Sequence, residues 1–191
     1  MIRILFLVLL SPIAWATCDV SNYDIENMKL VHQEFSDNPN KKSAESVLKI
    51  FPSRFCEFNA LYGYDVDAGP LYFVPLHDQL DTLLKYVSPE QIIEKYVAIA
   101  SEGRWYADNV GALQYSYRNM LLKYPEIIID KILSLPKENI STAIAFFFDG
   151  PHPSQTIIKG EKKNNVCVLN QDFCEILTIV EKQLLEKEHN H

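Results

Sequence analysis

The chain has 191 residues, of which 48% are hydrophobic, 23% charged and 12% aromatic, proportions that suit an ordinary folded domain. Only 6 residues are glycine, which argues against glycine-rich phosphate loops and against propeller folds with many tight turns. The formal net charge of -7 argues against nucleic-acid binding, because no basic excess is present to neutralise phosphates.

The first 16 residues have the pattern of a secretory signal peptide. Arg3 supplies a positive start, residues 4–10 form an apolar run, and Ala14-Trp15-Ala16 offers small residues for the signal peptidase. The run is too short to stay as a membrane anchor, and no later segment is long enough for a transmembrane helix. We therefore predict a signal peptide at 1–16, one domain at 17–191, and a periplasmic or secreted protein without a transmembrane segment.

All four cysteines lie in the part of the chain that would be exported. An even number of cysteines in an oxidising compartment predicts disulfides, and four cysteines allow three connectivities. Among these we favour Cys18–Cys56 with Cys167–Cys174. Lipidation of Cys18 after cleavage is the alternative role for that residue. A zinc site is the competing role for the set, although the spacings contain no pair of the C-x-x-C type.

After the signal peptide, apolar residues recur at helical spacing between polar breakers, which predicts an all-α irregular helical bundle. The strongest local signal is Ser88-Pro89-Glu90-Gln91, where serine caps, proline takes the first helical position and Gln91 reaches back as in a capping box. Residues 156–167 are ambiguous and are predicted as a loop or a small hairpin around Gly160. About nine helices are predicted, beginning after Ser21 and covering 22–35, 41–51, 53–62, 75–86, 89–102, 108–124, 125–135, 138–148 and 171–184.

A faint period accompanies these helices. Pro52, Pro89 and Pro125 lie 36 or 37 residues apart, and each precedes two successive predicted helices. Three such pairs would stack as a short α-solenoid. Because proline is common in the first turn of any helix, the irregular bundle remains the simpler interpretation.

Two irregular, aromatic and acidic segments, residues 64–73 and 102–108, are the best candidates for a binding surface. Loops carry much of protein function, and aromatic side chains flanked by charge are typical anchors of protein interfaces. The alternative is that Tyr72, Phe73 and Trp105 fill the core beneath their loops. His152, between two prolines, is added as an exposed loop residue. The predicted binding residues are Tyr64, Asp65, Asp67, Tyr72, Trp105, Tyr106 and His152.

Enzymatic alternatives have weaker patterns. Glu102 followed by Gly111-Ala112-Leu113-Gln114 resembles the acid and the Gly-Leu-Met-Gln stretch of lytic transglycosylases, which implies acid catalysis on peptidoglycan. The methionine is missing here, and Glu102 lies too near Gln114. His77-Asp78 has the residue types of half a metal site, but polar residues in the first turn of a helix are the simpler interpretation. Residues 65–69 resemble the start of a calcium loop without its required glycine and glutamate positions. We therefore predict no catalytic residue, no metal and no cofactor.

Together these patterns predict an exported, non-enzymatic binding protein whose partner is a protein, most simply a basic one. Small acidic exported helical proteins with two disulfides look like periplasmic immunity or inhibitor proteins, which neutralise toxins or enzymes that attack the cell wall. This comparison concerns compartment and fold class only. The alternatives are an envelope hydrolase or lytic-transglycosylase-like enzyme, and an assembly factor built on a helical repeat.

Overall fold

A computed structural model describes residues 18–64 and 67–189, and these residues form an all-α structure with 67% helix and no strand. The predicted signal peptide at 1–16 lies outside the described residues. The helices are α1 (Ile25–Asp37), α2 (Lys41–Ile50), α3 (Phe55–Tyr62), α4 (Leu76–Leu83), α5 (Pro89–Ala100), α6 (Asn109–Lys123), α7 (Pro125–Leu133), α8 (Lys137–Ala145), α9 (Pro153–Thr156), α10 (Glu161–Cys167) and α11 (Gln171–His189).

Local capping explains where several helices begin. The predicted capping box of α5 is present. The backbone nitrogen of Gln91 donates to Ser88 Oγ, and the backbone nitrogen of Ser88 donates to Gln91 Oε1. The predicted cap of the first helix was wrong. Asp24, three residues after Ser21, accepts from the Asn27 amide nitrogen and starts α1, because a carboxylate at this position also favours the helix dipole.

The structure differs from the sequence prediction between residues 153 and 167. Instead of a loop or hairpin, this stretch forms the short helices α9 and α10, which brings the number of helices in the described residues to 11 rather than about nine. Gly160 has a φ of 59°, a left-handed conformation that lets the chain turn sharply before α10 begins. Val166 of α10 is buried, so packing against the core holds this polar segment in helical form.

The helices are arranged in two rows with a pair at one end. α3, α5 and α7 pack against one another in sequence, and α4 packs against α6, as stacked helix pairs would. α8 departs from this order and packs against α5, α7 and α11. α1 and α2 pack mainly against each other. The result is an irregular bundle that contains a short stretch of stacked pairs.

The buried apolar side chains form one cluster that runs through all these layers. At its centre Phe147 stacks on Tyr117 of α6, with ring centroids 4.0 Å apart, and Phe146 and Phe148 on either side are also buried. The helix predicted over 138–148 ends at Ala145, so these three phenylalanines lie in the turns that follow it. These three phenylalanines therefore belong to the core although they lie beyond the end of the helix.

Both predicted disulfides are present. Cys18 is bonded to Cys56 at the start of α3, and Cys167 at the end of α10 is bonded to Cys174 in the first turns of α11. The described residues contain no free cysteine. This pairing fits a protein from an oxidising compartment.

Within residues 18–64 and 67–189, no helix combines the length and the apolar character that crossing a bilayer requires.

Candidate binding surface

The two predicted binding segments meet at the N-terminal end of α6. Tyr72 Oη donates to Asp108 Oδ2 at 2.8 Å, and the next residue, Asn109, uses its side-chain nitrogen to bind two backbone carbonyls. These carbonyls belong to Tyr62, at 2.8 Å, and to Tyr72, at 2.9 Å. One polar pair at the start of α6 therefore joins the 63–75 segment to the 103–108 segment.

A third segment is joined to the same helix end. The backbone nitrogen of Trp105 donates to Asp149 Oδ2 at 2.9 Å. Gln114, one turn and a half into α6, donates to the carbonyls of Phe146 and Asp149, each at 3.0 Å. The turn that follows α8, which leads to His152, is therefore fixed beside Trp105.

Asp108 has a special backbone conformation at this junction. Its φ of 58° makes it the one non-glycine residue of the described chain in the left-handed region, where a side chain is disfavoured. The hydrogen bond from Tyr72 holds the carboxylate in place, and the same bond raises the pKa of the Tyr72 phenol above its ordinary value. Such strain persists only where the surroundings hold it, and it is concentrated at functional positions.

Large aromatic side chains are exposed around this junction. The exposed fractions are 89% for Phe73, 52% for Tyr64 and 42% for Trp105. Tyr72 contacts both of its neighbours, with ring centroids 5.6 Å from Tyr64 and 5.1 Å from Phe73. We call Tyr64, Tyr72, Phe73 and Trp105 the aromatic surface. The alternative role as core-filling residues does not describe Phe73 or Trp105, because core side chains here are less than 10% exposed.

The other predicted binding residues are placed differently from one another. Asp67 is exposed next to the aromatic surface, and Asp65 lies outside the described residues. Tyr106 is half-buried, packs 6.3 Å from the Phe55 ring and lies beneath the Arg104 guanidinium. Tyr106 therefore supports the 103–108 segment from below rather than extending the aromatic surface.

His152 lies at the far edge of the third segment. Its side chain is 65% exposed, and its Nδ1 lies 3.6 Å from Glu188 Oε1 near the end of α11. Glu188 also accepts from the backbone nitrogen and the hydroxyl of Ser154, and the backbone bond is the main reason that the pKa of Glu188 is lowered. His152 is thus one side of a polar contact between α9 and α11.

The residues considered for catalysis are not gathered into one cleft. Glu102 lies on the surface just after α5, and its Oε2 is 3.6 Å from Arg54 Nε. His77 packs against the Tyr115 ring at 5.6 Å, on the exposed sides of α4 and α6. Residues 67–69 lie in a short turn closed by a bridge between Tyr64 and Ala68. Within the described part of the chain, no group of three or more His, Cys, Asp or Glu is arranged to hold a metal ion.

An apolar groove borders the aromatic surface at Phe73. Its volume is about 520 Å³, and it separates α1 from the 70–75 segment. The groove walls are largely apolar, while its floor includes the buried ring of His32. It is lined by Lys29, His32, Gln33, Ser36, Pro70, Leu71, Phe73, Val74 and Pro75.

Sequence reasoning missed several residues that build this site. Phe73 was placed among the possible core residues, Asp108 was expected only to open a helix, and Asn109 and Asp149 had no role in the predicted binding surface. The polar pair Asp108-Asn109 before a helix is a visible signal for a cap, but its partners lie 36 to 47 residues away in the chain. Only the folded structure shows that Asn109 connects two loops.

No protein family, no curated protein and no solved structure matches this chain.

Proposed function

We propose that this protein is an exported binding protein that recognises another protein through the aromatic surface. The observation that carries this proposal is the exposure of Tyr64, Phe73 and Trp105 on segments that are tied to one helix end. Tyrosine and tryptophan are enriched in the energetic centres of protein interfaces. Exposed apolar groups that are gathered in one place, unlike isolated ones, mark interaction sites.

The way the surface is held supports the same proposal. Side-chain hydrogen bonds from Tyr72, Asn109 and Gln114, with the bond from the Trp105 backbone to Asp149, fix three loops to α6. Loops that are already ordered lose less conformational entropy when a partner binds. An enzyme would need a cleft with grouped acid, base or metal-binding side chains, whereas a rigid exposed surface suits recognition.

The charge of the molecule supports a basic partner. The chain carries 25 acidic and 18 basic residues, and Asp67 and Asp108 lie exposed beside the aromatic rings. Acidic groups at the rim of an interface increase the association rate with a basic protein and matter less for the lifetime of the complex. Inhibition of an enzyme or toxin outside the cytoplasm, as immunity proteins do, is the specific form of this proposal that fits an exported acidic protein.

The test uses the purified mature protein as bait for the proteins of its own envelope and medium. Phe73→Ala and Trp105→Ala should weaken the affinity for a captured partner by about thirtyfold or more each, the range for residues at the centre of an interface. Ile179→Ala is the matched control, since Ile179 is 57% exposed on α11, outside the aromatic surface. Equal affinity of all three variants and the wild type would contradict the proposal.

The inhibitor hypothesis has its own measurement. If the captured partner is an enzyme, the wild-type protein should suppress its activity at a one-to-one ratio, and Phe73→Ala should suppress it only at higher concentration. Asp67→Asn should slow association at low salt and leave the dissociation rate nearly unchanged, because a rim charge acts mainly during the encounter. If a partner is bound through the aromatic surface but stays fully active, the binding hypothesis holds and the inhibitor hypothesis is rejected.

A further inference from the structure

A buried polar cluster connects α1 to α3 and α4. His32 of α1 is 1% exposed, and its two ring nitrogens lie 2.6 Å from Gln79 Oε1 and 2.7 Å from Tyr62 Oη. Gln79 of α4 also donates to the His32 carbonyl at 3.0 Å and to Ser36 Oγ at 2.7 Å. We call His32, Ser36, Tyr62 and Gln79 the His32 cluster.

The direction of each hydrogen bond in the cluster follows from its chemistry. A backbone carbonyl only accepts, so the Gln79 atom bound to the His32 carbonyl is the amide nitrogen. Gln79 Oε1 therefore faces His32 Nδ1 and accepts its proton. Nε2 of the neutral ring then carries the lone pair, which accepts from the Tyr62 hydroxyl.

A second proton on His32 would reverse one hydrogen bond of this arrangement. An imidazolium donates at both nitrogens, so Nε2 would turn its proton toward Tyr62 Oη and the Tyr62 hydroxyl would lose its acceptor. Tyr62 is fully buried, and leaving a buried donor unpaired is costly. The charge itself would also be buried beside two uncharged partners.

The charged groups around the cluster do not offset this cost. Lys29 of α1 lines the adjoining groove but is paired with Glu26 at 2.8 Å. Asp78 of α4 lies on the other side of Ser36, in the neighbouring surface hollow, and is exposed to water. The 70–75 segment contributes one titratable side chain, Tyr72, whose hydroxyl donates to Asp108, and its pKa is raised, so it adds no charge near neutral pH. Burial accordingly lowers the pKa of His32, and the bond to Gln79 opposes this only in part.

We propose that the His32 cluster is an acid-sensitive latch, which holds α1 against α4 while His32 is neutral and releases α1 when His32 takes up a proton. Buried Met28 and Phe35 also pack α1 on the core, and the His32 cluster supplies the side-chain hydrogen bonds that join α1 to α4. The Cys18–Cys56 disulfide before α1 keeps the released helix tethered. Release would open the groove beside Phe73, so, on the proposed function, acid would also weaken binding at the aromatic surface.

The sign of the pH effect follows from the His32 pKa in two states, the closed form with α1 held against α4 and the released form. Above about pH 6.5, the ordinary pKa of histidine, His32 is neutral in both states and the latch keeps its full strength. Below that pH the released form binds the proton first, so the free energy of opening falls until the lower pKa of the closed form is reached. Opening should therefore become easier as the pH falls below 6.5.

Hydrogen exchange of the purified, disulfide-bonded protein tests the latch without any partner. After correction for the intrinsic pH dependence of exchange, amides of α1 should open more often at pH 5.0 than at pH 7.5, because the closed form has the lower His32 pKa. Amides of α5 should not respond. His77→Gln, a variant of an exposed histidine on α4, should keep the response, and His32→Gln should lose it.

A second measurement applies if His32→Gln does not fold. In the wild type, the NMR titration of the His32 ring should have a midpoint below pH 6.5, and α1 exchange should change between pH 6.5 and that midpoint. Unchanged protection of α1 across this range, or loss of protection in α1 and α5 together, would overturn the latch. The latch and the proposed function can fail separately. If acid releases α1 but partner affinity does not depend on Phe73, only the proposed function is rejected.

Discussion

Gly103 is a position where the fold leaves no room for a side chain. A Cβ built there would lie 2.5 Å from Cδ2 of Phe146, a ring that is 1% exposed and packed edge-on against Phe55. Gly111, on the outer side of α6, is the opposite case, because nothing lies within 4 Å of a Cβ built on it. Gly103 is therefore required by packing, whereas packing places no such restriction on Gly111.

Gly103→Ala should lower the free energy of unfolding by about 1–3 kcal/mol, because Phe146 must shift in a well-packed core. Gly111→Ala should raise it by about 0.5–1 kcal/mol, since alanine is the better helix former and meets no neighbour. Urea unfolding of both variants measures the difference. Equal stability of the Gly103→Ala variant and the wild type would mean that the ring is free to move.

Trp105 illustrates how binding and folding roles can be distinguished at one residue. Its side chain is 42% exposed, and its contact with Asp149 is made by the backbone, which an alanine retains. Trp105→Ala should therefore shift the melting temperature by only a few degrees. Phe146→Ala, the buried comparison, should cost about 3–5 kcal/mol. If Trp105→Ala lowers the free energy of unfolding as much as Phe146→Ala does, Trp105 is a core residue.

At the scale of the helices, one ion pair connects α10 to α11. Lys163 Nζ lies 2.5 Å from Glu181 Oε2, and the Glu181 side chain is only 7% exposed. The other oxygen of Glu181 has no hydrogen-bond partner within the described structure. Glu181 therefore depends on Lys163 for the stabilisation of its buried carboxylate.

Lys163→Met should destabilise the protein by about 2 kcal/mol, because it leaves a buried carboxylate without its charged partner. Lys162→Met is the control, since Lys162 on the same helix is exposed. Thermal unfolding at pH 7 measures both. Equal melting temperatures of the Lys163→Met and Lys162→Met variants would show that water replaces the lysine.

At the scale of the whole molecule, the two disulfides constrain very different lengths of chain. Cys18 and Cys56 are 38 residues apart in sequence, whereas Cys167 and Cys174 are 7 apart. Cys18–Cys56 attaches the segment before α1 to α3, and Cys167–Cys174 closes only the turn between α10 and α11. Chain entropy in the unfolded state makes the longer loop the more stabilising one.

Replacing both cysteines of the first pair by alanine should cost about 4 kcal/mol, and the same change in the second pair about 2.5 kcal/mol. Denaturant unfolding under identical oxidising conditions compares the two double variants. The first should also expose α1 to faster hydrogen exchange, while the second should affect α10. A larger loss from the second pair would show that strain or contacts, rather than loop length, govern their contribution.

Much of this fold follows from local sequence. The apolar spacing of each long helix and the Ser88–Gln91 capping box depend on residues within one or two turns, so the pattern alone placed them closely. The helices at 153–167 were not predicted because they are short and polar, and tertiary contacts such as the burial of Val166 and the Cys167–Cys174 disulfide hold them in place. Cysteine number and compartment favoured the pairing that the structure contains.

The sequence by itself determined the all-α class and the order of the longer helices, because these depend on local periodicity, whereas it left three possible pairings of the four cysteines. The tertiary structure alone decided that Tyr72, Trp105 and Asp149 meet at α6, and that His32 is enclosed by Tyr62 and Gln79. These bonds join residues 30 to 47 positions apart. Contacts at that separation depend on how whole helices pack, which no local pattern records.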